Sequence, residues 1–400
     1  MPDALHPMSP IPTALSGRAG ALRASQIREV AEEGMRMEGV IPLWFGESAW
    51  GSPDLAVETA VAALRAGDHF YQPNSGRPAL RQAIAGYMRE IYGIETGLDR
   101  ITVTASGMQG LALTAQAIVD PGDDVVVVDP AWPNIPGCFQ IAGAAIRTVG
   151  LAARDGRWQL DLDRLLDALT PSTRALVVNS PNNPTGWVMD RASQQAVLAR
   201  CRRHGTWIVA DDVYSRLYLA GDHAPSFLEI AEPEDRLVSV NSFSKAWSMT
   251  GWRLGWTVAP ALLEPILAML TEFNIAGPSG FVQQAGIAAL RDGEPFVAEQ
   301  RTRLAAAYAV VARRLAAIPG VAFVAPEGAF YAFFRIDGLA DSLGFAKRLL
   351  REAKVGLAPG IAFGPAGEGH LRLCYARDPA LLEEALDRLD GFMRQESMST

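Results

Sequence analysis

The sequence predicts an α/β protein, with a mainly parallel sheet layered by helices on both faces and a smaller α+β part. Three observations lead there. From residue 100 onward, short Val-rich runs alternate with stretches of helical period, as in βα units whose strands are buried on both faces. After residue 320 this gives way to strand, strand, helix, strand, strand, helix, which reads as a separate α+β piece. Finally, 400 residues exceed one small core, so a large domain with a smaller companion is expected.

Residues 1–25 are rich in Pro, Ala and Ser and read as an arm or loop that folds back on the smaller part, and 26–37 read as a short helix. Residues 41–47 form an apolar strand ending at Gly46 and Glu47. Helical periodicity covers 57–66 and 78–92, with a turn-rich piece from Tyr71 to Pro78 between them. Strands follow at 101–104, 124–128, 174–178, 207–210, 237–240 and 254–258, and helices at 108–118, 134–142 and 193–204. Residues 260–272 and 280–317 are Ala/Leu/Arg-rich helices. The last part places strands at 321–325, 330–336, 355–358 and 370–375, with helices at 341–353 and 380–394.

Composition excludes several classes of function. A net charge of −8 gives no bulk attraction to nucleic acid or to an anionic membrane. Three widely spaced cysteines, Cys138, Cys201 and Cys374, make neither a disulfide framework nor a metal motif, which favours a reducing cytoplasm. The five histidines are scattered, so no metal is expected. The first twenty residues lack a basic start followed by an apolar run, so no secretory signal is expected, and no stretch is long enough to cross a bilayer.

In open α/β sheets the ligand site lies beyond the carboxyl ends of the strands, and the notable polar residues cluster there. Strand 101–104 leads through Ser106, Gly107 and Met108 into a helix. Such a turn is a common helix start, and it also offers backbone N–H groups to a phosphate. Trp132, after strand 124–128, is either core or a stacking face for a planar ring. The loop after 174–178 carries Asn182, Asn183 and two prolines, an elaborate turn or a stiff presenter of hydrogen bonds. Asp211, Asp212 and Tyr214 follow strand 207–210; the two acids could bind a metal, pair with Arg or cap a helix.

Lys245 follows strand 237–240. Of 36 basic residues only Lys245, Lys347 and Lys354 are lysines. Arg cannot lose its proton to attack a carbonyl, whereas Lys can once burial or a nearby cation lowers its pKa. Ser242, Ser244 and Arg253 flank Lys245, which suits an imine with an anionic carbonyl cofactor rather than an ordinary solvated lysine. Arg372 sits within the apolar strand 370–375 and needs an anion, either a ligand carboxylate or a distant acid of the chain. A phosphate cradle, a stacking face, an amide, a carboxylate with a phenol and an imine-forming lysine together make up the kit for pyridoxal phosphate.

Over about residues 25–395 the chain resembles the class I/II aminotransferases of fold type I, the pyridoxal-phosphate-dependent group typified by aspartate aminotransferase. The resemblance rests on Tyr71 with Gly76 and Arg81, on Asn183-Pro184-Thr185-Gly186, on Asp211 to Tyr214, on Ser242 to Lys245 with Gly251 and Arg253, and on Arg372. It implies a large cofactor-binding domain over 56–290, with a mainly parallel seven-stranded sheet sandwiched by helices. A smaller α+β domain would be built from 1–55 and 291–400. Lys245 would hold the cofactor as an imine and act as acid and base, while Asp211 would pair with the ring nitrogen. Tyr214 and Asn183 would bond the ring hydroxyl oxygen and Trp132 would stack on the ring. Ser106, Gly107 and Met108 would cradle the phosphate with Ser242, Ser244 and Arg253. Tyr71 would reach the phosphate of a partner subunit in a homodimer with shared active sites. Arg372 would clamp the substrate α-carboxylate beside the Gly46 backbone, with Trp132 and Asn183 also facing the substrate.

The implied reaction is ping-pong amino transfer between an L-amino acid and a 2-oxo acid; C–S lyase, decarboxylase or synthase chemistry on the same cofactor is the alternative. A sensor domain of a transcription regulator is disfavoured by the negative charge. In two places the chain departs from its relatives. Asp212 stands where they often have Glu. Met108 stands where some that take dicarboxylates have Lys, so Met108, Trp44 and Trp50 are expected to form an apolar wall for an aromatic or aliphatic donor, unless an Arg from elsewhere swings in.

Overall fold

The computed structural model describes residues 16–20 and 22–399. Most of the arm expected over 1–25 lies outside them, and the described turn Gly17–Gly20 rests on the helix Asn134–Ala142.

Fourteen strands are present among the described residues: β1 (Ile41–Pro42), β2 (Ile101–Thr104), β3 (Asp124–Asp129), β4 (Ala145–Arg154), β5 (Arg157–Leu160), β6 (Thr173–Asn179), β7 (Trp207–Asp211), β8 (Leu237–Ser242), β9 (Gly255–Val258), β10 (Val321–Phe323), β11 (Tyr331–Ile336), β12 (Val355–Gly356), β13 (Ala358–Pro359) and β14 (His370–Cys374). The large sheet has the order β2-β9-β8-β7-β6-β3-β4-β5. Strands β8, β7, β6, β3 and β4 run parallel to one another, and β9 is antiparallel to both β8 and β2. The carboxyl ends of β2, β8, β7, β6 and β3 therefore lie along one edge.

The mainly parallel sheet is as expected, but it has eight strands rather than seven. The outermost, β5, pairs antiparallel with β4 across an Asp155-Gly156 turn in which both residues have positive φ (50° and 72°). Asp-Gly is a strong hairpin signal. The strands beside it were missed because β4 is largely exposed and carries small residues, so it lacks the Val-rich signature of the inner strands.

Those inner strands explain the layering. Val126 and Val128 join one buried cluster with Leu176 and Ile208, while Val125 and Val127 join the other with Ala175 and Val209. Side chains alternate across a strand, so a run of four valines buries apolar surface on both faces. Each contributes roughly 1.5–3 kcal/mol. The helix expected over 280–317 is two, Gly280–Asp292 and Glu294–Leu315, because Gly293 interrupts the run and Pro295 suits only the first turn of a new helix.

The small antiparallel sheet has the order β10-β11-β14-β13. The strand expected over 41–47 is only the short β1, parallel to β12. The chain then passes beside β14, with Leu43 N–H donating to Gly356 O at 2.9 Å and Cys374 N–H donating to Leu43 O at 3.0 Å. This threads Trp44 to Glu47 between the two sheets. Trp44 is 3% exposed and its ring packs against two glycines: a Cβ at Gly34 would fall 2.5 Å from it, and one at Gly356 2.1 Å. Among the described residues no helix is long and apolar enough to cross a membrane.

Gly356→Ala should therefore force the Trp44 ring out of its seat and cost about 1–3 kcal/mol of stability. Chemical denaturation would measure it; an unchanged midpoint would mean the ring has room to move.

Candidate active site

The carboxyl edge of the large sheet opens into a cavity of about 640 Å³, lined by residues of both sheets and of the N-terminal segment. Each strand end contributes. Beyond β2, Ser106 adopts φ 100° and caps the helix Gly107–Ile118, its Oγ accepting from Gln109 N–H at 3.3 Å. Gly107 packs so closely that an added Cβ would stand 3.2 Å from Val213 and 3.4 Å from Ser242. Gly255 of β9 is tighter still, 2.6 Å from Asn241 O and 2.8 Å from Gly107 N. The helix start is thus pressed against β8 and β9, and Ser106, Gly107 and Met108 line the cavity beside Ser242 and Ser244, whose hydroxyls bond at 2.9 Å. Arg253 reaches the same wall with a left-handed backbone (φ 53°), donating to Thr250 O at 2.7 Å.

Lys245 sits one short turn after β8. Its Nζ donates to Gly46 O at 2.6 Å and lies 5.6 Å from the Tyr214 ring. Burial lowers its pKa to about 8. Roughly a tenth of such an amine is neutral at pH 7, against less than about one in a thousand for a free lysine. Gly46 admits no side chain, because a Cβ there would fall 1.8 Å from the Tyr331 phenol oxygen.

Asp211 ends β7. Its carboxylate accepts only a long bond from Val213 N–H, at 3.4 Å, and burial raises its pKa to about 7. Asp212 points elsewhere: Ser239 at 2.6 Å and Ser226 at 3.3 Å hold its carboxylate, so it belongs to the support of the site. The hydroxyl of Tyr214 meets that of Tyr331 at 2.6 Å, and burial keeps the Tyr214 phenol neutral.

Arg372 of β14 is 2% exposed. It donates to Asn183 Oδ1 at 2.9 Å and to Trp44 O, and its guanidinium carbon lies 4.4 Å from the Tyr331 ring centre and 4.9 Å from that of Phe363. No carboxylate of the described residues pairs with it, and its Nε has no partner, so the distant acid of the chain allowed for above is absent there. Asn183 is held in turn by its own N–H, which donates to Asn179 Oδ1 at 2.7 Å. Because Arg372 only donates, the amide oxygen of Asn183 faces it and the NH₂ group is left to donate elsewhere.

Trp132 and Met108 also line the cavity. Tyr71 does not: it is 91% exposed on the surface. The apolar wall is present but is not the expected one. Trp44 is turned into the core, and Trp50 lines a separate depression beside Trp252. Met108, Leu111, Phe45, Ile27 and Met35 line the cavity instead. Tyr331, Asn179 and Arg28 were not singled out from the sequence. Tyr331 is hidden in the aromatic run from Phe330 to Phe334, where its one hydroxyl was the available signal.

The donor set fits pyridoxal phosphate on three observations: a buried carboxylate with no cation partner, a half-buried lysine of lowered pKa, and a helix start that lines the cavity beside two serine hydroxyls.

Comparison with known proteins agrees. The family model for aminotransferase class I and II matches residues 41–389. The chain is 34% identical to an aspartate aminotransferase of Pyrococcus horikoshii, covering 96% of this chain and 98% of that one. It is 32% identical to aromatic-amino-acid aminotransferase 2 of Thermococcus litoralis, covering 96% and 100%. A solved structure of a single mutant of the Thermus thermophilus aspartate aminotransferase superposes with a TM-score of 0.88 at 34% identity, covering 94% and 99%.

The Asp211 carboxyl yields a pH test. Its folded pKa of about 7 lies above the ordinary 3.8, so between those values the folded, cofactor-free protein keeps a proton that the unfolded chain has lost. Stability then falls as pH rises through that window. Asp211→Asn should raise the Tm of the cofactor-free protein by a few degrees at pH 8, and the gap should close near pH 4. A gap that does not vary with pH would show that the carboxylate is compensated.

Proposed function

The chain belongs to the pyridoxal-phosphate-dependent class I and II aminotransferases of fold type I and moves amino groups between amino acids and 2-oxo acids; on that premise we propose how its own residues do so. The observation that carries the reading is the meeting of Lys245, Asp211 and Arg372 in one cavity, each without an ion-pair partner among the described residues. Pyridoxal phosphate, when bound, supplies an aldehyde that captures an amine and a ring that takes up the electron pair left when the substrate α-proton departs.

The Gly107 and Met108 amides, the hydroxyls of Ser106, Ser242 and Ser244, and Arg253 would hold its phosphate. Asp211, whose carboxylate has no cation partner among the described residues, would pair with the ring nitrogen and favour its protonated form. Tyr214 and the Asn183 NH₂ group would donate to the ring hydroxyl oxygen, and Trp132 would stack on the ring. Lys245 Nζ, with a pKa lowered by burial, would take the proton from the substrate α-carbon and return it on the far side of the amino nitrogen. Arg372 grips the substrate α-carboxylate with a two-toothed bond. Amino acid and oxo acid use this cavity in turn, which is a ping-pong sequence. The alternative of C–S lyase, decarboxylase or synthase chemistry gains no support, since the relatives described above are aminotransferases.

We further propose a cytoplasmic homodimer with the domain division 56–290 against 1–55 and 291–400. The large sheet lies within 101–258 and the small one within 321–374, and β1 pairs with β12, which supports that division. Tyr71, Phe70 and Phe273 are 91%, 75% and 82% exposed, and the bond from Asn74 to Glu272 at 3.1 Å brings their two segments together, which supports a second copy covering them. Three buried free thiols suit a reducing compartment.

Lys245→Ala should lower amino transfer roughly a thousandfold or more and abolish borohydride fixation of the cofactor; a fully active variant would overturn the assignment. Arg372→Lys keeps the charge but loses the fork, and should raise KM for amino acids about 10- to 100-fold while cofactor affinity holds. An unchanged KM would make Arg372 structural.

A further inference from the structure

The segment that carries Lys245 has little structure of its own. The helix after β8 is one short turn, Phe243–Ala246, and Ser248 follows with a left-handed backbone (φ 51°). Within the turn, Ser248 N–H reaches Lys245 O only at 3.4 Å. A strained, loosely bonded turn keeps its shape only when its surroundings determine it.

The surroundings here come from elsewhere in the chain. Gln300, in the second turn of the helix Glu294–Leu315, is 2% exposed and does not line the cavity. Both ends of its amide are bonded to the Lys245 segment. Nε2 donates to Lys245 O at 2.7 Å, and Oε1 accepts from Ser248 Oγ at 2.6 Å. Lys245 O can only accept, which settles the end of the amide that faces it. Ser52 Oγ completes the brace by donating to Ser248 O at 3.0 Å.

The same helix has contacts at both its ends. At its start Glu294 accepts from Arg216, two residues beyond Tyr214, at 2.9 Å. At its end Arg314 pairs with Glu383 of the helix Pro379–Ser399 at 2.7 Å, and the helix packs on β10 of the small sheet. One rod thus touches the segment of Lys245, on the large sheet, and the sheet that carries Arg372.

We propose that Gln300 is a positioning residue for Lys245: through the Lys245 carbonyl and the Ser248 hydroxyl it fixes where Nζ stands relative to a substrate held by Arg372. Its consequence for turnover rests on the aminotransferase reading above. A displacement of about 1 Å in such an arrangement costs on the order of 100-fold in rate.

The test uses Gln300→Met, whose unbranched side chain fills similar space but lacks the amide's donor and acceptor. In the holoenzyme kcat should fall about 10- to 100-fold, while KM for the amino acid stays within about twofold because Arg372 is untouched. The chain has three lysines, so nitrogen-15 labelling of lysine gives three amine signals. In the cofactor-free protein the Lys245 amine should titrate above about 8, toward the ordinary 10.5, as the loosened turn admits water. Ser248→Gly suits the left-handed backbone and removes one of the two bonds, so it should move both readouts the same way by less; it decides the case if Gln300→Met does not fold. A folded variant in which either kcat or the Lys245 titration is unchanged overturns the proposal and makes Gln300 a packing residue. A shifted titration in a protein that transfers no amino group, with or without the substitution, upholds the brace and overturns the reaction.

Discussion

A cation buried without a carboxylate is the constraint around which the molecule is arranged. Arg372 is held by three separate parts of the chain: Trp44 O from the N-terminal segment, Asn183 from the loop after β6, and the faces of Tyr331 and Phe363 from the small-sheet region. Breaking a buried pair by removing one partner typically costs several kcal/mol, and a buried cation left with only neutral partners carries a related penalty. Hydrogen-bond acceptors and aromatic faces offset part of it here. The two-residue strand β1 and the bond from Cys374 N–H to Leu43 O serve mainly to carry Trp44 O to that position.

The same tension runs through the rest of the cavity. Asp211 is pushed toward neutrality and Lys245 toward its free base by burial, and each lacks an ion-pair partner among the described residues. Separating opposite charges that would otherwise neutralise each other leaves all three groups available to ligands. Exposed ion pairs of helices and loops, such as Arg202 with Asp235, are spent on the outside, where they matter little to stability.

Much of this was legible in the sequence because it is local. A motif such as Ser242 to Lys245 fixes both its neighbours and its place at a strand end, and parallel topology then gathers the strand ends of β2, β3, β6, β7 and β8 along one edge. The inner strands were legible for a similar reason, since a valine run declares burial on both faces. What escaped depends on contacts between distant residues. Trp44 was expected in the cavity wall, yet its ring is taken by Gly34 and Gly356. Tyr331 reads as one more aromatic until its hydroxyl meets that of Tyr214. Arg28 reads as a charge on a surface helix, and only the fold brings that helix to the cavity mouth.

The placement of the mouth helix also bears on how such a protein diverges. Residues that perform the chemistry sit on strand ends, where neighbours are close-packed and a change is felt throughout the core. The helix Gln26–Gly34 brings one buried residue, Ile27, and one exposed residue, Arg28, to the cavity, with exposed Met35 just beyond its end. Substitutions on the exposed side change stability by only about ±0.5 kcal/mol. Substrate preference can therefore drift by single mutations that the fold barely registers, while the catalytic edge stays fixed, so lineages that share one scaffold can part company over their substrates long before they differ in architecture.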